Sequence, residues 1–250
     1  MADVGLDDAM KDLPPSVASD ASTTFWTGFV NSVVMIIATE IGDKTFFIAA
    51  IMAMNYARLA VFGGAVGALA VMTVLSAALG FALPTLLPPS YTHFASALLF
   101  LYFGCRMLKE GMESQGGPSE ELTEVEEELT KKDEVGPRRT VGDDDLEGGA
   151  GGGSRRGSVV RKTVVKVITL SFTMTFLAEW GDRSQIATIA MAASKDPYGV
   201  TVGGILGHSL CTGMAVIGGR MLATRISEKT VHLVGGALFL VFGFHALIFG

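Results

Sequence analysis

Six long apolar runs dominate the pattern of the chain, separated by short polar turns and one long polar stretch. They cover Phe25–Met54, Leu59–Leu83, Tyr91–Leu108, Thr163–Ala193, Tyr198–Leu222 and Thr230–Phe249. Each is close to or above the roughly 20 residues that a helix needs to cross a bilayer. The pattern predicts an all-α membrane protein with six transmembrane helices. The first and fourth runs are longer, about 30 residues or ~45 Å if wholly helical, against a hydrocarbon core of roughly 30 Å. They are expected to tilt strongly, or to break near a glycine at their centre. Turn signals separate the runs: Asn55-Tyr56-Ala57-Arg58, Pro84 with Pro88-Pro89, and Lys195-Asp196-Pro197.

The runs repeat. A shift of 139 places Glu40, Gly42 and Asp43 on Glu179, Gly181 and Asp182. A shift of 140 places Gly63, Gly64 and Gly67 on Gly203, Gly204 and Gly207. Each copy carries three spans. Two odd-numbered copies in series must insert with opposite orientation, so two inverted three-helix repeats are expected. The organisation predicted is a disordered tail over 1–24, a first repeat over 25–110, an acidic cytosolic linker over 111–160 and a second repeat over 161–250. The tail has no basic region followed by a short apolar stretch, so no cleavable signal is expected. The glycine stripes are read as surfaces for close helix packing, not as phosphate loops.

Charge refines this picture. Of the 250 residues 49% are hydrophobic and 18% charged, a membrane profile. The net charge of -6 is local, because 13 of the 25 acids lie in Gly111–Val160. Elsewhere acids and bases nearly balance, and no basic patch of the kind nucleic acid needs is present. Lys and Arg concentrate at Arg58, in the central stretch and around Arg220 to Lys229, which places the central loop in the cytosol and both termini on the opposite side. Within the loop, Glu120 to Lys132 is read as a short surface helix in a solvated linker. Cys105 and Cys211 are read as buried small hydrophobes, since neither metal-ligand spacing nor a disulfide framework is visible.

Chemistry sits at the duplicated stretch. Glu40-Ile41-Gly42-Asp43-Lys44-Thr45 and Glu179-Trp180-Gly181-Asp182-Arg183-Ser184 each place two carboxylates, a cation and a hydroxyl inside an apolar run. A charge at a bilayer centre costs roughly 3 kcal/mol on insertion scales. If each motif is helical, its Glu and Asp share a face. The inverted repeat then brings Glu40, Asp43, Glu179 and Asp182 together at mid-membrane. Hard oxygen ligands of this kind suit calcium, magnesium or manganese. Thr45, Ser184 and Gln185 add neutral oxygens. With Lys44 and Arg183 in the same neighbourhood, two negative charges remain, which one divalent ion or two protons neutralise. A site held by either but never left bare is an antiporter site. A competing structural reading takes the acids as buried ion pairs, Asp43 with Lys44 and Asp182 with Arg183. Adjacent helical residues diverge by about 100°, so pairing within a motif is poor, and pairing across the repeats stays open. Lys44 and Arg183 are read as fixing the helices or gating the entrance. His208 is read as a packing residue before a proton relay. His93 and His232 are placed at the interface, as are Trp26, Tyr91 and Tyr198, and Met35, Met52, Met54, Met174 and Met191 are assigned to the core.

The doubled Glu-x-Gly-Asp-(Lys/Arg)-(Thr/Ser) motif, six spans and an acidic central loop resemble the Golgi calcium/manganese–proton antiporter family, whose members also occur in plastids and bacteria. The likeness covers about 25–250. The run Glu124-Val125-Glu126-Glu127-Glu128-Leu129 looks more like the Golgi branch than the plastid branch. The resemblance implies a multi-pass carrier, not an enzyme, that imports calcium and manganese into an organelle lumen in exchange for protons. It carries the motif carboxylates over to Glu40, Asp43, Glu179 and Asp182. Many eukaryotic members have an N-terminal signal or extra span that this sequence does not display. The partners expected are divalent cations, protons and the lipid bilayer, with a homodimer left open and no separate cofactor. Three alternatives stand beside this reading. A divalent cation channel or uniporter would use the same acids, although channels usually build their pathway from rings of subunits. An intramembrane aspartyl protease also carries Gly-Asp in a span, but needs a partner Tyr-Asp span that is missing here. A carrier of small organic cations is the third.

Overall fold

The computed structural model describes residues 15–86, 88–114, 120–133, 153–223 and 227–249. Among them the chain is helical and no strand is present. In order the helices are α1 (Pro15–Glu40), α2 (Lys44–Asn55), α3 (Arg58–Leu86), α4 (Pro89–Glu113), α5 (Glu120–Asp133), α6 (Gly153–Glu179), α7 (Arg183–Ser194), α8 (Pro197–Ala223) and α9 (Glu228–Phe249). α1 begins at Pro15, upstream of the start expected at Phe25. Residues 1–14 and the Asp143–Asp145 part of the central loop lie outside the described residues.

Among the described residues three helices are long and apolar enough to cross a membrane: Arg58–Leu86, Pro197–Gly219 and Lys229–Ile248. A fourth span results if Thr163–Glu179 and Arg183–Ser194, bent by 72° at their junction, are counted as one. The six expected spans are thus met in part. Both overlong runs are broken, the first between α1 and α2 and the fourth between α6 and α7. Each break falls at the motif glycine. Gly42 has φ 84° and Gly181 φ 82°, a left-handed conformation that costs other L-residues roughly 1–2 kcal/mol. The chain leaves one helix there and starts another after a single turn.

The two halves pack on each other through α1 against α8, α3 against α6, and α4 against α9. The contacts are reciprocal. Ser32 Oγ on α1 donates to the carbonyl of Val200 on α8 at 2.9 Å. Ser171 Oγ on α6 donates to the carbonyl of Val61 on α3, also at 2.9 Å. A shift of 139 maps Ser32 onto Ser171 and Val61 onto Val200. Gly104 of α4 packs against Leu240 of α9, and Gly243 of α9 packs against Leu101 of α4. The same shift maps one contact onto the other.

The glycine stripes act as packing surfaces, with one exception. Gly64 lies against Ser171 and Phe172 of α6, and Gly207 against Ile36 of α1. Gly63 faces open space. Buried residues divide into two clusters. One joins α2, α3, α5, α6 and α8 around Phe47, Ile48, Met52 and Val61. The other joins α1, α3, α4, α7, α8 and α9 around Met35, Ile36, Phe100 and Phe239.

Several expectations are corrected here. α5 is not merely a solvated linker: Leu122, Val125 and Leu129 are buried in the first cluster. Their spacing of three and four residues puts them on one helical stripe, which the acidic composition obscures. Cys211 is buried but Cys105 is exposed, because its side of α4 faces away from the bundle. Met35, Met52, Met174 and Met191 are buried, whereas Met54 at the end of α2 is 45% exposed. His232 is buried near the start of α9. Trp26, Tyr91 and Tyr198 are all exposed, as anchors at a membrane interface would be.

Candidate cation site

The two helix breaks have the same local construction. Glu40 closes α1 and Glu179 closes α6. The amide of Asp43 donates to the Glu40 carbonyl at 3.2 Å, and that of Asp182 to the Glu179 carbonyl at 3.2 Å. Asp43 and Asp182 then occupy the N-cap positions of α2 and α7 with extended backbones. An N-cap carboxylate satisfies free amides and faces the positive end of the new helix. Asp182 does so directly, accepting from the Ser184 amide at 3.2 Å. The expectation that Glu and Asp of one motif share a continuous helical face is therefore replaced by a different geometry. Each pair straddles a turn, one residue ending a helix and the other starting the next.

The turns bring the two motifs together. Glu40 and Glu179 are each 2% exposed. One oxygen from each of Glu40, Glu179 and Asp182 lies within 4.8 Å of the others. Ligands of one hard cation sit about 2.1–2.5 Å from it, so opposite ligands are at most ~5 Å apart. Those three oxygens can therefore share one ion. Asp43 is not a member of this trio. Ser184 Oγ donates to Glu179 Oε1 at 2.5 Å, and Thr45 Oγ1 to Glu40 Oε2 at 3.4 Å. The other oxygens, Glu40 Oε1 and Glu179 Oε2, are buried with no hydrogen-bond partner among the described residues. Buried carboxylate oxygens left this way are costly unless a proton or a cation completes them.

Gln185 is committed elsewhere. Its side-chain oxygen accepts from the Gly181 amide at 2.7 Å and braces the turn. The cations also have outside partners. Lys44 Nζ lies 3.8 Å from Glu124 on α5. Arg183 Nη1 donates to Glu110 Oε2 on α4 at 3.1 Å. Arg183 also lies 4.0 Å from Asp43, across the halves, and 4.0 Å from its neighbour Asp182. The neighbour is within reach because the N-cap is extended, so the 100° divergence of a helix does not apply. His208 Nδ1 on α8 is 3.7 Å from Glu40 Oε2, closer to the site than a packing role requires. The sequence gives no spacing that links it or Glu110 to the motifs.

The model of the divalent cation/proton antiporter GDT1 family matches residues 28–115 and 167–250, which include both helix breaks and all four motif carboxylates. The chain belongs to the GDT1 family. It is 43% identical over 224 residues to GDT1-like protein 5 of Arabidopsis thaliana, covering 88% of this chain and 95% of the relative. GDT1-like protein 3 of Oryza sativa subsp. indica is 45% identical over 213 residues, covering 84% of this chain and 70% of the relative. GDT1-like protein 4 of Arabidopsis thaliana is 44% identical over 221 residues, again over 95% of its length. No solved structure matches the chain. Membership in GDT1 makes this a multi-pass membrane protein of an antiporter family. The stretch between the matched blocks contains α5 and its contact with Lys44.

Proposed function

We propose that the chain exchanges calcium, manganese or both for protons across an organelle membrane. Glu40, Asp43, Glu179 and Asp182 form the ion site, and Thr45 and Ser184 orient the two glutamates. The observation that carries this reading is the buried convergence of Glu40, Glu179 and Asp182 with two glutamate oxygens left unpartnered. A divalent ion completes such a site, and so do protons. Asp43 takes part through Arg183, which links it to the second motif.

The architecture proposed is six spans in two inverted repeats, with α1–α2 and α6–α7 each forming one broken span. The reciprocal pairs Ser32–Val200 and Ser171–Val61, and Gly104–Leu240 and Gly243–Leu101, support it. Such exchange of partners is the mark of a two-fold relation between equivalent elements. An inverted repeat around a central site is the arrangement that alternating access uses. The likeness of the acidic loop to the Golgi branch favours a Golgi membrane over a plastid one. The protease alternative has no support in an antiporter family.

The test is uptake of manganese and of calcium into proteoliposomes under an imposed pH gradient. Wild-type protein is expected to take up the ion with opposing proton movement, and Glu40→Gln and Glu179→Gln are expected to abolish it. Divalent transport without proton movement would favour a uniporter, and unimpaired uptake in both variants would remove the site.

A further inference from the structure

We propose that Glu110 is a positioning residue for the exchange, holding Arg183 back from Asp43 and Asp182. This rests on the ion-exchange reading given above. Arg183 is the cation of the second motif, with its side chain 20% exposed. Among the described residues its one short hydrogen bond goes outside both motifs, to Glu110 at 3.1 Å. Its distances of 4.0 Å to Asp43 and to Asp182 are too long for hydrogen bonds. A partly desolvated guanidinium beside two carboxylates would ordinarily close on them, since charge-assisted forked pairs are among the strongest polar contacts. Arg183 falls short of that closure while its Nη1 is bonded to Glu110.

Glu110 is itself paired. Its Oε1 accepts from Arg106 Nε at 2.7 Å, one turn earlier on α4. The next residue, Gly111, packs against His232 and Leu233 of α9. The acid thus belongs to the α4–α9 layer, while Arg183 belongs to α7. Arg183 stands between an anchored acid and two acids that serve the ion.

This placement matters because arginine stays charged and cannot leave the site by losing its proton. A divalent ion and a closed Arg183 would compete for Asp182. Glu110 gives the guanidinium a place to rest while the ion is bound. When the ion departs, a movement of about 1 Å brings Arg183 to hydrogen-bonding distance of Asp43, where it replaces part of the lost positive charge. Without Glu110 the closed position is favoured throughout, and the ion binds less tightly.

The test is manganese uptake kinetics in proteoliposomes with Glu110→Gln, Glu110→Asp, Arg183→Gln and the double variant Glu110→Gln/Arg183→Gln. Glu110→Gln is expected to raise KM about tenfold while the maximal rate changes less than about twofold. Glu110→Asp, which keeps the charge, is expected to give an intermediate KM. Adding Glu110→Gln to Arg183→Gln is expected to change KM less than about twofold, because Glu110 acts through Arg183. A wild-type KM in Glu110→Gln, or effects that multiply independently in the double variant, would overturn the proposal. If Glu110→Gln does not purify as a monodisperse protein, the comparison passes to Glu110→Asp with and without Arg183→Gln, and equal KM shifts in both backgrounds overturn it. A wild-type protein that exchanges no divalent ion for protons overturns the underlying reading, and that result needs no variant.

Discussion

Ser184 Oγ lies 2.5 Å from Glu179 Oε1 in the buried heart of the molecule. At the matching place in the first motif, Thr45 Oγ1 is 3.4 Å from Glu40 Oε2. The two halves of the site are alike in composition and unequal in tightness. Ser184→Ala is therefore expected to impair uptake more than Thr45→Ala. A hydrogen bond to a charged group is worth roughly 1.5–3 kcal/mol, so Ser184→Ala should lower kcat/KM about tenfold or more. Ser184→Thr should keep most of the activity. Initial uptake rates of the three variants at equal protein incorporation check this, and equal losses in Ser184→Ala and Thr45→Ala would contradict it.

The glycine turns set the angle between half-helices. At Gly181 a side chain would meet nothing within 4 Å, so the cost of replacing it is purely conformational. Gly181→Ala is expected to destabilise by about 1–2 kcal/mol through its positive φ. Gly181→Asn should cost less than Gly181→Val, because asparagine tolerates the left-handed region and β-branched residues do not. Thermal midpoints of the purified protein in detergent rank the three. A Gly181→Val protein as stable as wild type would show that the turn is not strained for side chains.

Reciprocal packing makes a paired prediction. A Cβ on Gly104 would lie 2.7 Å from a Leu240 methyl, and one on Gly243 would lie 2.8 Å from a Leu101 methyl. Gly104→Val and Gly243→Val should each lose about 1–3 kcal/mol by overpacking, and by similar amounts. Gly63→Val faces open space and should be close to neutral. Thermal unfolding followed by size-exclusion chromatography separates these cases. A loss confined to one of the pair would argue against equivalence of the two halves.

On α5, Val125 is fully buried and Leu122 and Leu129 are each 7% exposed. Val125→Asp would put a charge into the buried apolar stripe, and is expected to detach α5 while leaving the other helices folded. Limited proteolysis checks this: cleavage in the 120–133 segment should accelerate several-fold while the remaining fragments stay intact. Unchanged cleavage would show that α5 docking does not depend on this stripe.

Much of the fold was legible because burial in a membrane demands continuous apolar runs, and six such runs stand out. That the two longest must tilt or break was legible for a geometric reason, since about 45 Å of helix does not fit a ~30 Å core upright, and the structure breaks them. What the pattern could not show is which residues meet across the bundle. Glu110 sits at the end of an apolar run beside Lys109, and in sequence resembles any loop acid. Its role depends on α4 and α7 being adjacent. His208 is likewise set near Glu40 by the packing of α8 on α1. The same-face argument for Glu40 and Asp43 failed because it assumed a helix through Gly42, whose positive φ ends one there. The buried stripe of α5 was present as Leu122, Val125 and Leu129, but the surrounding glutamates dominated the composition.

The placement of the motif acids at helix ends has a mechanical consequence. In an unbroken span the two acids of a motif would travel together as one rigid rod. Here Glu40 is carried by α1 and Asp43 by α2, Glu179 by α6 and Asp182 by α7. Three separately packed pieces, α1, α6 and α7, bring Glu40, Glu179 and Asp182 to the same small volume, and Arg183 reaches from there toward Asp43 on α2. A tilt of any one of these three pieces changes the distances among the three acids, so the proposed coordination would sense the position of each, and an ion bound there would hold the three pieces together.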